Sequence, residues 1–421
     1  MNDSAFHYVD GVLHVEGVST ASLAKQFGTP LYVYSRDALT RAYHAYADAC
    51  ASRKGTVHVA VKANSNLAVL NVFVRMGAGF DIVSAGELAR VTAAGGKASD
   101  TVFSGVGKSA AEMREALELG VKGFNVESIP ELHVLNEVAK SLGKKARISL
   151  RVNPDVDAKT HPYISTGLKA NKFGVAFSDA RATHRAAHAM SNLEVVGIGY
   201  HIGSQITEIS PYLDALDKVL ELVEQIEADG MHIHHVNVGG GLGITYDDET
   251  PPDIDAFVKT LLDHIEKRGH GHRKVFFEPG RSLVGNAGAL ITRVEYLKPG
   301  KEKNFAIVDA AMNDLARPAM YESFHRIEPV SQRDSVKAHQ YDVVGPVCES
   351  GDWLGCDRAL AIEQGDLLAI LSAGAYGFTM SSNYNTRPRA AEVMVDGSKA
   401  HVVREREEVK QLFAGEKVLP N

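Results

Sequence analysis

Lys62 is the first residue whose position suggests chemistry, because it ends the segment VHVAVK (57–62) and is followed by the polar turn ANSN. Valine at every second position of that segment is typical of a β-strand. A lysine amine held at a rigid strand end can attack a carbonyl group, although lysines at such positions are more often simply solvated. The other reactive residues of the chain decide between these two interpretations.

Seven further β-like segments also end in residues that could react or bind a ligand. They begin near residues 79, 101, 123, 148, 195, 235 and 274. Because parallel strands of a barrel bring their C-terminal ends to one face, we expect the residues at these ends to line a common site. These residues are Asp81, Ser84, Ser104, Glu127, Arg151, His201, Ser204, Gly239–Gly241 and Glu278–Arg281.

Two glycine-containing loops among them indicate a phosphate site. GGGLG (239–243) follows the seventh β-like segment and EPGR (278–281) follows the eighth. Barrels often bind phosphate with these two loops, using backbone N–H groups that only glycine brings close, although a flexible turn is the alternative. A phosphate site facing a lysine and a carboxylate points to pyridoxal 5'-phosphate, with Lys62 forming the Schiff base and Glu278 at the ring nitrogen. His201 either lies against that ring or is a packed structural histidine.

The β-like segments alternate with helical patterns from about residue 56 to residue 281. The helical stretches are rich in Ala, Leu, Glu and Lys, and several end in glycine, as helix C-termini often do. Eight successive strand–helix units predict a closed (β/α)8 TIM barrel, an α/β fold, and an open doubly wound sheet is the alternative.

The pattern changes on either side of this region. After Arg281, β-like runs joined by turns predict a mostly β C-terminal domain, and the β-like first 35 residues are expected to pair with it. We therefore predict a cofactor-binding barrel over 36–280 and a β-rich domain formed by 1–35 plus 281–421. A length of 421 residues fits two domains.

Composition restricts the classes of protein that fit. A formal net charge of −7 argues against binding to nucleic acid or anionic membranes. The N-terminus has no basic start followed by an apolar core, and no stretch is apolar enough to span a bilayer. Three cysteines are too few for a disulfide framework and fit a reducing compartment. We expect a cytoplasmic protein.

Eight segments resemble those of the diaminopimelate decarboxylase family, which belongs to the alanine-racemase-like class of pyridoxal-phosphate enzymes. The resemblance runs in the family's order from the first residues to about Arg389. It is carried by the segments VHVAVKAN, FDIVSAGE, YHIGSQ, VNVGGGLG, EPGR, MNDLARPAMYESFH, VGPVCESGD and GAYGFTMSSNYN. This family implies a barrel followed by a β domain, pyridoxal 5'-phosphate as cofactor, and a homodimer whose active sites are shared between subunits.

The resemblance also implies roles for individual residues. Lys62 holds the cofactor covalently, His201 stacks on its ring, and Glu278 pairs with the pyridine nitrogen. Ser204, Gly240 and the backbone of 279–281 hold the phosphate. The full set of cofactor contacts is Lys62, Asp81, His201, Ser204, Gly239, Gly240, Gly241, Glu278, Gly280, Arg281 and Tyr376.

The substrate implied is meso-2,6-diaminopimelate, which loses CO2 to give L-lysine in the last step of lysine biosynthesis. The family's substrate contacts fall on Arg281, Arg317, Tyr321, Glu349 and Tyr376, and the catalytic residues are Lys62, Cys348 and His201. Cys348 and Glu349 would come from the partner subunit. Two arginines suit a carboxylate and Glu349 suits the distal ammonium group, while a thiol near its usual pKa of about 8.5 can deliver a proton at neutral pH.

Other interpretations stay open at this point. An ornithine-, arginine- or carboxynorspermidine-type decarboxylase of the same class is the nearest alternative, and a non-catalytic homologue is another. GVGKSA (105–110) contains GKS but lacks the first glycine of a phosphate-binding P-loop, so we expect a loop entering a helix. HIHH (232–235) has no neighbouring cluster of metal ligands, so surface or packed histidines are expected and no metal site is predicted.

Overall fold

The computed structural model describes residues 4–51, 53–157, 166–167, 171–333 and 335–421. By its internal contacts, the chain divides into two compact units. One consists of Thr40–Ile244 and Thr250–Leu283, and the other of Met1–Leu39, Thr245–Glu249 and Val284–Asn421. They are called here the barrel unit and the β unit.

Eight parallel strands form the closed ring of the barrel unit's sheet, and a ninth, two-residue strand, Val175–Ala176, pairs parallel with the fifth strand of the ring. The first strand pairs with the eighth, and the fourth pairs with the fifth, so the ring is complete. The predicted barrel is therefore confirmed. In chain order the strands are Gly55–Ala60, Gly79–Ile82, Thr101–Phe103, Gly123–Val126, Ala146–Asn153, Leu193–Gly199, His235–Asn237 and Lys274–Phe277.

Helices separate these strands along the chain. Local sequence defines their ends: Ser109 and Glu112 form a reciprocal capping box at the start of Ala110–Leu119, and Gly120 ends that helix in the left-handed conformation. GVGKSA is thus a loop entering a helix, as expected. The helices are Arg36–Ala51, Leu67–Arg75, Ala85–Ala93, Ala110–Leu119, Ile129–Ser141, Phe177–His188, Ser210–Ala228, Ile254–Lys267 and the short Arg281–Val284.

The β unit is built on a mixed sheet in which the N-terminal strand Leu31–Ser35 lies centrally. This strand pairs antiparallel with Gly288–Lys298 and parallel with Ala391–Asp396. The predicted inclusion of the N-terminal segment in the β fold is confirmed. The remaining strands are Phe6–Val9, Val12–Val15, Val18–Ser19, Phe305–Val308, Ile327–Pro329, His339–Val344, Trp353–Leu360, Leu367–Ile370 and Lys399–Arg404; the helices are Thr20–Phe27, Arg317–Tyr321 and Val409–Leu412.

Among the described residues, the structure has no helix with the length and apolar character that a membrane span requires.

His184, on helix Phe177–His188, predicts a measurable pH dependence of stability. Its side chain is 1% exposed and neither ring nitrogen has a hydrogen-bond partner, so burial lowers its pKa to about 4. The unfolded chain, with a pKa of about 6.5, therefore binds more protons below pH 6.5, and stability falls as the pH drops toward 4. Between pH 7 and pH 5 we expect the protein to lose about 2 kcal/mol more than the His184→Leu variant does.

Urea unfolding at several pH values measures this difference. His188→Gln, which changes an exposed histidine of the same helix, is the control and should follow the unmodified protein. Identical pH slopes for the protein and for His184→Leu would show that His184 is not held neutral.

Candidate active site

Lys62 lies immediately after the first barrel strand, in the one-turn 3-10 helix Val61–Ala63. Its Nζ is 3.4 Å from Oδ2 of Asp81, which lies on the second strand. The Lys62 side chain is 38% exposed whereas that of Asp81 is 1% exposed. A buried carboxylate thus holds the amine in place, and the amine remains accessible from the cavity at the C-terminal ends of the strands.

A chain of hydrogen bonds links Asp81 to the eighth strand across the cavity floor. The Ser104 hydroxyl donates to Asp81 Oδ1, and Asn125 Nδ2 lies 2.8 Å from Ser104 Oγ and 3.0 Å from Glu278 Oε1. Asn237 also donates to Glu278 Oε1. Sequence inspection placed Asp81, Ser104 and Glu278 here but gave no role to the two asparagines. A polar residue inside an otherwise apolar buried strand was the available signal.

The Glu278 carboxylate has the charge properties expected of a partner for a cationic ring. Enclosure by protein, followed by repulsion from Asp81, raises its pKa to about 7, while Asn237, Lys62 and Arg151 oppose this rise. Among the ion pairs formed by described residues, none includes Glu278. The ionised form of a carboxylate in this environment is stabilised when a protonated pyridine nitrogen lies beside it.

His201 follows the sixth strand and lines the same cavity. Desolvation, with the positive charges of Arg151 and Lys62, holds its pKa well below the ordinary value, so the imidazole is neutral. Its Nδ1 accepts the Gly240 N–H at 3.2 Å. A neutral, oriented ring of this kind is suited to packing against a flat cofactor.

The glycines of the 239–241 loop allow backbone segments to approach more closely than side chains would permit. A Cβ at Gly240 would collide with the Glu278 carbonyl oxygen, and one at Gly241 would collide with that of Gly203. Gly239 and Gly241 also have φ of 69° and 100°, which favour glycine. The loop is therefore a fixed turn held against the sixth and eighth strand ends, and the flexible-turn alternative does not describe it.

Arg281 and Ser204 supply a cation and a hydroxyl beside this loop. Arg281 is 5% exposed, and its Nη2 donates to Ser204 Oγ at 3.1 Å. Gly280 packs against Ala60 and Ala63, which brings the EPGR backbone against the turn that carries Lys62. A guanidinium, a hydroxyl and glycine backbone in one place match the needs of a phosphate group.

Arg151 is a cavity residue that sequence inspection noted only as a strand end. Its Nη1 lies 3.1 Å from Glu127 Oε1, and its guanidinium lies over the Phe173 ring at 5.0 Å from the centroid. Glu127 also accepts the backbone N–H groups of Gly105 and Gly174. Arg151 is therefore held by a carboxylate that is itself fixed by two loops.

In the β unit, Arg317 is a buried cation held by a histidine. It is 4% exposed, donates to His325 Nε2 at 2.8 Å and to Ser323 Oγ at 3.2 Å, and lies over the Tyr246 ring. His325 Nδ1 donates to the Leu371 carbonyl oxygen, which fixes its tautomer. Tyr321 ends the same short helix, Arg317–Tyr321, and is half-buried.

Cys348 and Glu349 lie on an exposed loop of the β unit. The buried side chain of Asp352 holds this loop by accepting the N–H groups of Met312 and Val347. The Cys348 N–H donates to Asn385 Oδ1 at 3.1 Å. The thiol and the carboxylate are thus presented outward from a rigidly anchored turn.

Tyr376, predicted to contact cofactor and substrate, lies elsewhere in the β unit. It adopts a φ of 54° and is half-buried. Gly374 lies two residues before Tyr376, and a β-carbon there would collide with the Val284 carbonyl oxygen. The turn that carries Tyr376 therefore requires glycine at position 374.

The donor set of the barrel unit fits pyridoxal 5'-phosphate: it contains an accessible amine, a carboxylate outside the ion pairs of the described residues, a neutral imidazole, and a hydroxyl, guanidinium and glycine backbone suited to phosphate. Residues 36–285 match the family model described as pyridoxal-dependent decarboxylase, pyridoxal binding domain. Fold and site thus define a pyridoxal-phosphate-dependent decarboxylase with a barrel catalytic domain. The chain is 58% identical to diaminopimelate decarboxylase of Vibrio cholerae serotype O1, over 98% of each chain. It belongs to the diaminopimelate decarboxylase family, as predicted.

Two solved structures support the same assignment. Diaminopimelate decarboxylase from Helicobacter pylori, complexed with L-lysine, has a TM-score of 0.90 and 42% identity, covering 94% of this chain and 98% of that one. The enzyme from M. jannaschii in co-complex with L-lysine has a TM-score of 0.94 and 37% identity, covering 100% and 99%. The predicted carboxy-lyase class and cofactor are confirmed.

Proposed function

We propose that this chain catalyses the pyridoxal-phosphate-dependent decarboxylation of meso-2,6-diaminopimelate to L-lysine and CO2. The observation that carries the proposal is the set formed by Lys62, Asp81, His201 and Glu278 in one cavity, on a chain of this family. When bound, the cofactor serves as the electron sink for the carbanion left by the loss of CO2.

Residues of the barrel unit hold the cofactor in this proposal. Lys62 binds its aldehyde carbon, Glu278 keeps the proton on its ring nitrogen, and His201 packs against its ring. Ser204, Arg281 and the backbone of Gly239, Gly240, Gly241 and Gly280 hold the phosphate. Because the Gly240 N–H donates to His201 in the structure, binding of phosphate at that N–H requires the two groups to separate. Asp81 orients Lys62.

Residues of the β unit recognise and protonate the substrate. Arg317, with Arg281, binds the distal carboxylate, and Tyr321 and Tyr376 complete that contact. Burial with His325 and Tyr246 fixes the guanidinium of Arg317 before the substrate arrives. Glu349 accepts the distal ammonium group. Cys348 delivers the proton to the carbon that has lost CO2.

We propose a homodimer with shared sites, and the exposed position of these last two residues supports it. Cys348 and Glu349 are exposed on their own subunit, and a proton donor must be shielded from water during the reaction. We propose that the partner subunit's copies of these two residues complete each site. A cytoplasmic location is also proposed, supported by three cysteines that are all free.

Mixed dimers test the shared site. Lys62→Ala and Cys348→Ala chains are each expected to be nearly inactive alone, because each lacks one reacting group in every site. Mixed together, they should recover about a quarter of the normal activity, since one site of each hybrid dimer is intact. Activity is measured as CO2 release after exchange of subunits. Absence of recovery, with hybrid dimers present by mass spectrometry, would place both residues in one subunit.

A panel of pure substrates tests the reaction itself. We expect CO2 release from meso-2,6-diaminopimelate to exceed that from ornithine, arginine and carboxynorspermidine by a factor of about 10³ or more, because only the first presents a zwitterion to Arg317 and Glu349. Preference for ornithine would overturn the substrate assignment while leaving the cofactor assignment intact.

A further inference from the structure

A second cavity lies at the N-terminal ends of the barrel strands, opposite the end that carries Lys62. Its volume is about 520 Å³, which lies in the range of small-molecule sites and exceeds what an inorganic phosphate needs. Its wall is formed where the fourth to eighth strands begin. None of the proposed reaction steps uses it.

The cavity has a strongly positive rim. Lys54, Lys122, Arg147 and Lys274 line it, against the single carboxylate of Glu194. The Arg147–Glu194 pair is long, at 3.8 Å, and half-exposed, so it neutralises little of this charge. Ion pairs between described residues include neither Lys122 nor Lys274. Burial, together with Lys274 and Arg147, lowers the pKa of Lys122 despite the opposing charge of Asp100.

Below this rim the wall is aromatic and uncharged. The His235 ring stacks on Phe276 with 4.2 Å between centroids, and His58 packs against Phe276 at 4.6 Å. Burial and the neighbouring cations lower the pKa of His235 to about 3, so this ring is neutral at physiological pH. Lys122 Nζ lies 5.3 Å from the Phe276 centroid. Cations therefore surround an apolar interior.

One buried polar group of the cavity wall has no hydrogen-bond partner. Ser149 lines both this cavity and the Lys62 cavity, is 4% exposed, and its hydroxyl makes no hydrogen bond in the structure. A buried hydroxyl without a partner is destabilising, and a ligand that hydrogen-bonds to it would remove that cost. The unpartnered Ser149 hydroxyl is an indication of a ligand that does not depend on the positive charge at the rim.

We propose that this cavity binds an organic phosphate, its phosphate groups at the Lys122–Arg147–Lys274 rim and its body along the His235–Phe276 wall toward Ser149. Multivalent anions are the ligands that a cluster of lysine and arginine side chains with few carboxylate partners recognises. An apolar interior of this size favours a phosphate that carries an organic group over the inorganic ion.

Calorimetric titration of the pyridoxal-phosphate-loaded enzyme with ADP tests the site, with pyrophosphate as the inorganic comparison. We expect one ADP per chain, tighter binding of ADP than of pyrophosphate, and weakening in about 0.5 M salt. The Lys122→Gln/Lys274→Gln variant should bind ADP at least about tenfold more weakly, and Ser149→Val should also bind it more weakly.

The control variant Lys140→Gln/Lys259→Gln removes the same charge from exposed helix positions and should bind ADP within about twofold of the unmodified protein. Acetic anhydride labelling followed by mass mapping locates the ligand, since ADP should protect Lys122 and Lys274 but not Lys259. Absence of ADP binding to the unmodified enzyme, or equal affinity in the rim variant and the control, would overturn the proposal. Pyrophosphate binding as tight as ADP would overturn the assignment of an organic phosphate.

Discussion

Replacement of Lys62 by alanine is expected to lower the decarboxylation rate by a factor of about 10⁴ or more. The reason is that its amine is the covalent attachment point of the cofactor, and the structure gives it a buried anionic anchor, Asp81, and an opening toward the cavity. CO2 release from meso-2,6-diaminopimelate measures the rate. Borohydride reduction followed by mass mapping shows whether the cofactor is attached at this residue.

Two further variants make the result specific. Lys62→Arg keeps the positive charge beside Asp81 but cannot form the covalent bond, so it should be as inactive as the alanine variant. Lys259→Ala, on the exposed surface of a barrel helix, should leave the rate unchanged. If borohydride traps the cofactor at another lysine, or if Lys62→Arg retains substantial activity, Lys62 is not the attachment point.

Replacement of Lys108 by methionine is expected to destabilise the barrel unit by about 3–5 kcal/mol. The Lys108 side chain is 0% exposed, and its Nζ is 2.7 Å from Glu131 Oε1, whose side chain is 7% exposed. The same Nζ donates to the carbonyl oxygens of Gly105 and Asn125. Without the lysine, the buried carboxylate of Glu131 and two backbone carbonyl oxygens lose this donor. The midpoint of urea unfolding measures the loss.

A double variant separates the ion pair from packing. Lys108→Met/Glu131→Leu removes both charges and should recover a large part of the lost stability, because no buried charge is then unpaired. Lys140→Met, which breaks an exposed 3.9 Å pair with Glu137, should change stability by less than about 0.5 kcal/mol. A small effect of Lys108→Met, comparable with that control, would contradict this account.

The barrel could be predicted because its strands are buried on both faces and its connections end in glycine. VHVAVK has valine at every second position and KVFF is a short apolar run, and both patterns can be recognised without knowing which strands are neighbours. The count of eight strand–helix units favours closure over an open sheet, but the apolar pattern does not show which strands pair. The closed ring depends on pairing between Gly55–Ala60 and Lys274–Phe277, which are more than 200 residues apart in the chain.

The sequence predicts that residues at strand ends lie together, and several of them line one cavity, but it does not predict the residues that position them. Lys62 and Glu278 follow strands, so the architecture alone brings them together. Asn125 and Asn237 lie within strands, and their role depends on side-chain distances that only the folded barrel defines. The segment GVGKSA predicts a loop entering a helix, but nothing in it predicts the buried ion pair of Lys108 with Glu131. Position at a strand end predicts which side chains lie near one another, but not the hydrogen bonds and ion pairs that fix their orientation.

The central place of Leu31–Ser35 in the sheet of the β unit has a consequence for synthesis of the chain. This strand leaves the ribosome early, yet both of its neighbours belong to the last third of the protein, and Ala391–Asp396 emerges only when translation is nearly complete. During that interval its apolar side chains, Leu31 and Val33 among them, lack their native partners. Nascent chains halted before residue 391 should therefore expose an apolar, aggregation-prone strand, to which molecular chaperones would bind.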